Sequence, residues 1–157
     1  MGVAGEPVAR ADLVHPVVPW YGGGVNEWPV ILFDGECNLC SATVRFVMRR
    51  ERAPWCRFAA LQSETGRRLV RAAGGDPAAL DTFYLKDGDR LLARSDAALA
   101  VARHLRWPWR AAGGLRALPR GWRDALYNFV ARNRYRWFGR HDFCAIPDRV
   151  DAERFLP

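Results

Sequence analysis

Four apolar residues in unbroken succession, Val30-Ile31-Leu32-Phe33, stop at Asp34-Gly35. A β-branched and aromatic run without alternation predicts a short strand covered on both faces. From Ser41 to about Arg50 the period changes: Val44, Val47 and Met48 recur at helical spacing while Arg45, Arg49, Arg50 and Arg52 fall largely on the other side. Pro54 closes that helix. Cys56 to Leu61 reads as a second strand, and Ser63 with Glu64 opens a short helix through Leu69 and Val70 that ends at Gly74-Gly75. Thr82 to Lys86 and Arg90 to Arg94 are strand-like runs separated by Asp87-Gly88-Asp89, a hairpin signal. Ser95 is placed to cap a further helix with Asp96 in its first turn, and Ala98, Val101, Ala102 and Leu105 form its apolar stripe before Pro108.

The resulting order, β-α-β-α-β-β-α, predicts an α/β, thioredoxin-like fold with a four-stranded mixed sheet. Trp122, Leu126, Phe129 and Val130 define one more amphipathic helix, and Tyr135, Trp137, Phe138, Phe143 and Phe155 are available to dock a helical C-terminal extension. Residues 1–28, with three prolines and Gly22-Gly23-Gly24 but no sustained periodicity, read as a flexible tail. The expected organisation is a tail over 1–28, a core over 29–108 and a packed extension over 109–157.

Composition narrows the setting. The chain has 157 residues, half of them apolar, with seven Trp and eight Phe, enough for one domain with a sizeable core. No run of about twenty uncharged apolar residues is present and the N-terminus lacks a secretory pattern, so the expected location is the cytoplasm. There thiols are kept reduced, which gives the four cysteines a role other than structural bridging.

Cys37 and Cys40 stand two residues apart where the first strand gives way to the first helix. A thiolate is the attacking species in disulfide exchange, and the unpaired N–H groups and positive dipole end of a helix N-terminus favour negative charge there. Cys37 is therefore the expected nucleophile. Cys40, one helical turn on, is the expected resolving thiol, deeper because Val44 and Val47 continue its face, with Cys37 the more exposed. Asp34 either relays a proton during resolution or shapes the Asp34-Gly35 turn through its side-chain oxygen. Arg45 is a candidate for a neighbouring positive charge. No organic cofactor and no metal is expected; the dithiol is the redox group.

Around these residues the sequence resembles a known family. Val30 to Cys40, reading VILFDGECNLC, is similar to the signature of the DCC family of predicted thiol-disulfide oxidoreductases, named for one Asp and two Cys. Phe58-Ala59-Ala60-Leu61-Gln62-Ser63, Ser95-Asp96-Ala97-Ala98-Leu99, Tyr127 to Tyr135, and Phe138-Gly139 followed by Cys144 resemble that family's later blocks in the same order, over about residues 29 to 147. The resemblance implies a thioredoxin-like redox protein whose substrate is a disulfide-containing protein or a small thiol. One departure from thioredoxins themselves is visible: Leu80-Asp81 precede Thr82 where thioredoxins carry a cis-proline, and the nearest proline is Pro77.

Two competing assignments remain. Cys37, Cys40, Cys56 and Cys144 could form a structural four-sulfur zinc site, although such sites usually pair two Cys-x-x-Cys knuckles and one is present. Taken singly, Cys56 is a buried strand residue, and Cys144 is either a packing residue or a third redox thiol. Charge offers the other: the net +7 is concentrated between Arg103 and Arg140, where ten Arg face one acid, Asp124. That distribution suits a binding module for nucleic acid or an anionic membrane surface without redox turnover, the weak anionic-surface association being favoured. No specific nucleic acid is expected, because no nucleic-acid-binding signature accompanies the charge. His15, His104 and His141 lack metal-pair spacing, and Gly22-Gly23-Gly24 lacks the residues of a phosphate loop.

Overall fold

A computed structural model describes residues 28–79, 82–140 and 152–157. Most of the expected N-terminal tail, together with Leu80-Asp81, His141, Phe143 and Cys144, lies outside the described residues. The elements are β1 (Val30–Phe33), α1 (Asn38–Arg50), β2 (Arg57–Ala60), α2 (Glu64–Ala72), β3 (Tyr84–Asp87), β4 (Arg90–Ala93), α3 (Arg94–Ala102), α4 (Arg120–Phe138) and β5 (Phe155–Leu156), with a 3-10 helix over Trp109–Ala117 and a short one over Ala152–Arg154.

The strands form one sheet in the order β4-β3-β1-β2-β5. β1 runs parallel to β2 and antiparallel to β3, and β3 and β4 form a hairpin turning at Gly88, whose φ of 55° suits glycine. This is the thioredoxin-like α/β fold. Five strands are present rather than the four expected, because β5 adds to β2 in parallel. Two residues carry no periodicity for a sequence reading to find. Burial and a clamp hold β5: Phe155 stacks on Phe58 with ring centroids 5.2 Å apart, and the Arg154 guanidinium donates to both Glu51 carboxylate oxygens, at 2.6 and 3.1 Å, and to the Cys56 carbonyl.

The unbroken apolar run of β1 is buried on both faces. Ile31 and Phe33 pack with Val44 and Val47 of α1 and Val101 of α3. Val30 and Leu32 pack on the opposite side with Val70 of α2. α2 approaches β2 so closely at Gly66 that an added Cβ would lie 2.0 Å from the Ala60 carbonyl oxygen, which only glycine allows.

Two local expectations are corrected. Ser95 does not cap α3: it lies inside the helix, the N-cap is Ala93, and the Ser95 hydroxyl instead hydrogen-bonds to Asp124 of α4. The face that α4 buries is also the reverse of the expected one. Trp122, Leu126 and Phe129 are 77%, 67% and 57% exposed, and of the four stripe residues only Val130 turns inward. The docking face is polar because its partners are specific. Arg123 pairs with Asp96 at 2.9 Å, the Phe83 N–H donates to the Tyr127 hydroxyl at 2.8 Å, and Arg134 reaches Asp34.

Candidate functional site

β1 ends at Phe33, the chain turns through Asp34-Gly35-Glu36, and Cys37 becomes the N-cap of α1 with extended backbone, φ −92° and ψ 122°. Its Sγ accepts a hydrogen bond from the Cys40 N–H at 3.5 Å. A helix leaves its first N–H groups without intrahelical partners, so a cap side chain that accepts from one of them is stabilising, and negative charge at that place is favoured by the dipole. Cys40 follows one turn later on the same helix. The structure thus brings the two predicted cysteines together at the helix mouth.

Their exposure is the reverse of the expectation: Cys37 is 0% exposed, while Cys40 is only partly buried. The end of α4 packs against this turn. Arg140 forms an antiparallel bridge with Cys37, the Asn38 side chain donates to the Phe138 carbonyl at 2.6 Å, and the Asn38 N–H points to the Gly139 carbonyl at 3.5 Å. The chain turns over the site at Gly139, with φ 75° and ψ −178°, and a Cβ there would meet Asn38 Nδ2 at 3.2 Å. Nothing in the Cys-x-x-Cys motif announces a cover contributed by residues a hundred positions away.

Asp34 is buried beneath the cysteines and is heavily engaged. Its Oδ2 accepts from the Arg134 guanidinium at 2.8 Å and from the Tyr135 hydroxyl; its Oδ1 accepts from Gln62 Nε2 at 2.6 Å and the Glu36 N–H at 3.0 Å. Gln62 also accepts the Gly35 N–H at 3.0 Å. Asp34 and Arg134 form an ion pair with side chains 1% and 5% exposed, so each depends on the other for compensation of its buried charge. The carboxylate therefore ties the cysteine loop to α4. Gln62 and Arg134 are residues around Asp34 that the sequence reading did not single out, and Tyr135 was expected only to dock the extension; all three fall inside the blocks of family resemblance.

Burial pushes the Cys40 thiol up to about 12, and the neighbouring Cys37 sulfur adds to the effect; Arg134 opposes it. At neutral pH Cys40 is a thiol. Burial, and then its hydrogen bond to Asp34, also raises the Tyr135 hydroxyl. Cys56 is fully buried and its thiol is raised by that burial, as suits a packing residue. Among the described residues no group of three or more His, Cys, Asp or Glu is placed to hold a metal ion, and Cys144 lies outside them. No helix among the described residues is long and apolar enough to cross a membrane.

A thioredoxin-like sheet with a Cys-x-x-Cys pair capping the first helix defines a protein of the dithiol-bearing thioredoxin-fold class. Residues 31–140 match the family model described as DCC1-like thiol-disulfide oxidoreductase. The chain belongs to that family. It is 41% identical over 128 residues to a Bacillus subtilis (strain 168) protein named "Uncharacterized protein YuxK", covering 82% of this chain and 93% of the relative. It is 40% identical over 122 residues to "DCC family protein At1g52590, chloroplastic" of Arabidopsis thaliana, covering 77% and 71% respectively. No solved structure matches the chain significantly.

Proposed function

We propose that the protein is a cytoplasmic thiol-disulfide oxidoreductase in which Cys37 and Cys40 alternate between dithiol and disulfide, exchanging two electrons with a disulfide-containing protein or a small thiol. The observation that carries this reading is the Cys37 sulfur capping α1 with the Cys40 N–H directed at it and the second thiol one turn away. Burial keeps the Cys40 sulfur protonated, and the helix N-terminus at Cys37 is where developing negative charge is favoured. Asp34 acts as a positioning residue: both of its carboxylate oxygens are taken by donors from β1's loop, Gln62 and α4, which supports the loop-shaping role over proton relay.

The test is catalysis of thiol-disulfide exchange between dithiothreitol and the small cyclic disulfide lipoamide, above the uncatalysed rate, by wild type, Cys37→Ser and Cys40→Ser. Loss of turnover in both variants supports the proposal; wild-type turnover in either one overturns it. A second role, weak docking on an anionic membrane surface, draws support from the exposed Trp122, Leu126 and Phe129 on a helix rich in arginine.

A further inference from the structure

A cavity of about 290 Å³ opens between α1, α3 and α4, and Cys40 is part of its wall. Apart from Cys40, Arg134, Thr43 and Tyr127, the lining is aliphatic or aromatic, including Leu39, Phe46 and Val130. Cys37 is not among the lining residues and is 0% exposed, with Arg140 bridged to it. The sulfur that an outside molecule can meet is Cys40, and the surface surrounding it there is apolar. The volume sits at the small end of sites that hold organic ligands, which suits a short alkyl chain or one ring and not a folded protein segment.

We propose that this cavity binds a small dithiol with an apolar body, and that its thiolate attacks Cys40 Sγ, not Cys37, when the pair is oxidised. The inference rests on the redox reading of the pair and adds to it the substrate class and the point of attack. In the first step the substrate sulfur bonds to Cys40 Sγ and the Cys37–Cys40 bond breaks, its electron pair leaving with Cys37. Exchange is faster when the departing sulfur is the one better able to carry charge, and Cys37 departs at a helix N-cap beside the Cys40 N–H. In the second step the substrate's other thiol loses its proton to solvent and attacks the substrate sulfur of the mixed disulfide. The substrate closes to a disulfide, and Cys40 leaves and takes up a proton; burial disfavours its charged form, so this is the slower of the two steps. Two electrons have moved from the dithiol to the pair, and Cys37 and Cys40 are both reduced.

The probes are dihydrolipoamide, a dithiol with an alkyl amide body, and dithiothreitol, a polar dithiol that has no apolar body to bury. Each is mixed with oxidised protein, and the reduction rate is expressed per thiolate. Burial of each methylene favours binding by about fourfold, so dihydrolipoamide should react about tenfold faster or more. Octanamide, an apolar body without sulfur, should slow the dihydrolipoamide reaction selectively, and Ala98→Phe at the cavity wall should bring the two rates together. Because each comparison is a ratio within one protein, a general loss of folding or reactivity cancels. Acid quenching early in the reaction should trap the mixed disulfide on Cys40. Equal rates in wild type, or an adduct on Cys37, would overturn the inference while leaving the redox reading standing. Failure of the protein to form a Cys37–Cys40 disulfide at all would overturn both.

Discussion

Replacing Asp34 by Asn keeps the size of the side chain and its capacity to accept from the Glu36 N–H, but removes the charge that faces Arg134. Both partners are almost entirely out of water, so Arg134 would be left as a buried cation without its counter-charge. Removing one member of such a pair costs about 3–5 kcal/mol, in contrast to replacing both by apolar groups, which is often close to neutral. We take about 3 kcal/mol, since Asn still accepts a hydrogen bond, corresponding to a fall in Tm of about 10 °C for a chain of this size. Urea unfolding of the reduced protein measures it. The double variant Asp34→Asn with Arg134→Leu should be less destabilised than Asp34→Asn alone, the non-additivity expected of residues in direct contact. The same substitution weakens the tie between the cysteine loop and α4, so iodoacetamide should reach Cys37 faster. A loss below about 1 kcal/mol, in the range of ordinary surface substitutions, would refute the clamp.

Gly139→Ala places a side chain at a φ of 75° and against Asn38, so it should cost about 1–2 kcal/mol and speed alkylation of Cys37; unchanged labelling would mean that the Phe138–Arg140 segment does not seal the sulfur. His104 stacks on Trp55, and burial, aided by Arg103 and Arg52, pushes it down to about 4. Below pH 6.5 the unfolded chain therefore takes up a proton that the folded chain refuses. Stability should fall between about pH 6.5 and 4 by about 1–2 kcal/mol after allowance for partial exposure, and His104→Gln should flatten that limb in urea titrations. Co-sedimentation with vesicles containing phosphatidylserine should exceed that with neutral vesicles, fall with added salt and drop in Trp122→Ser/Phe129→Ser; equal binding to both vesicle types would remove the anionic-surface reading.

The order of elements was legible because each of β1 to α3 carries its own local signal. The apolar run of β1, the helical spacing of Val44 and Val47, and the Gly88 turn are decided by residues near one another in the chain. The orientation of α4 was not. Its apolar residues outline a clean stripe, yet the energy of docking lies in Arg123, Tyr127 and Arg134, whose value depends on acids and backbone groups supplied by distant elements. The same physics explains the site. Cys37 and Cys40 were recognisable from spacing at a strand-to-helix junction, and Asp34 from its place beside them. The partners of Cys37 and Asn38, and Arg134 and Tyr135 among the donors around Asp34, come from about a hundred positions away. Arg134, which the fold delivers from α4, is the positive charge that acts on Cys40.

The most direct measurement is an equilibrium titration of the purified protein against mixtures of reduced and oxidised dithiothreitol, with peptide mapping at each point. The account predicts a single two-electron transition in which the bond formed joins Cys37 to Cys40, absent in either serine variant. A protein that stays fully reduced at the oxidising limit, or one whose disulfide joins a different pair of cysteines, would contradict it.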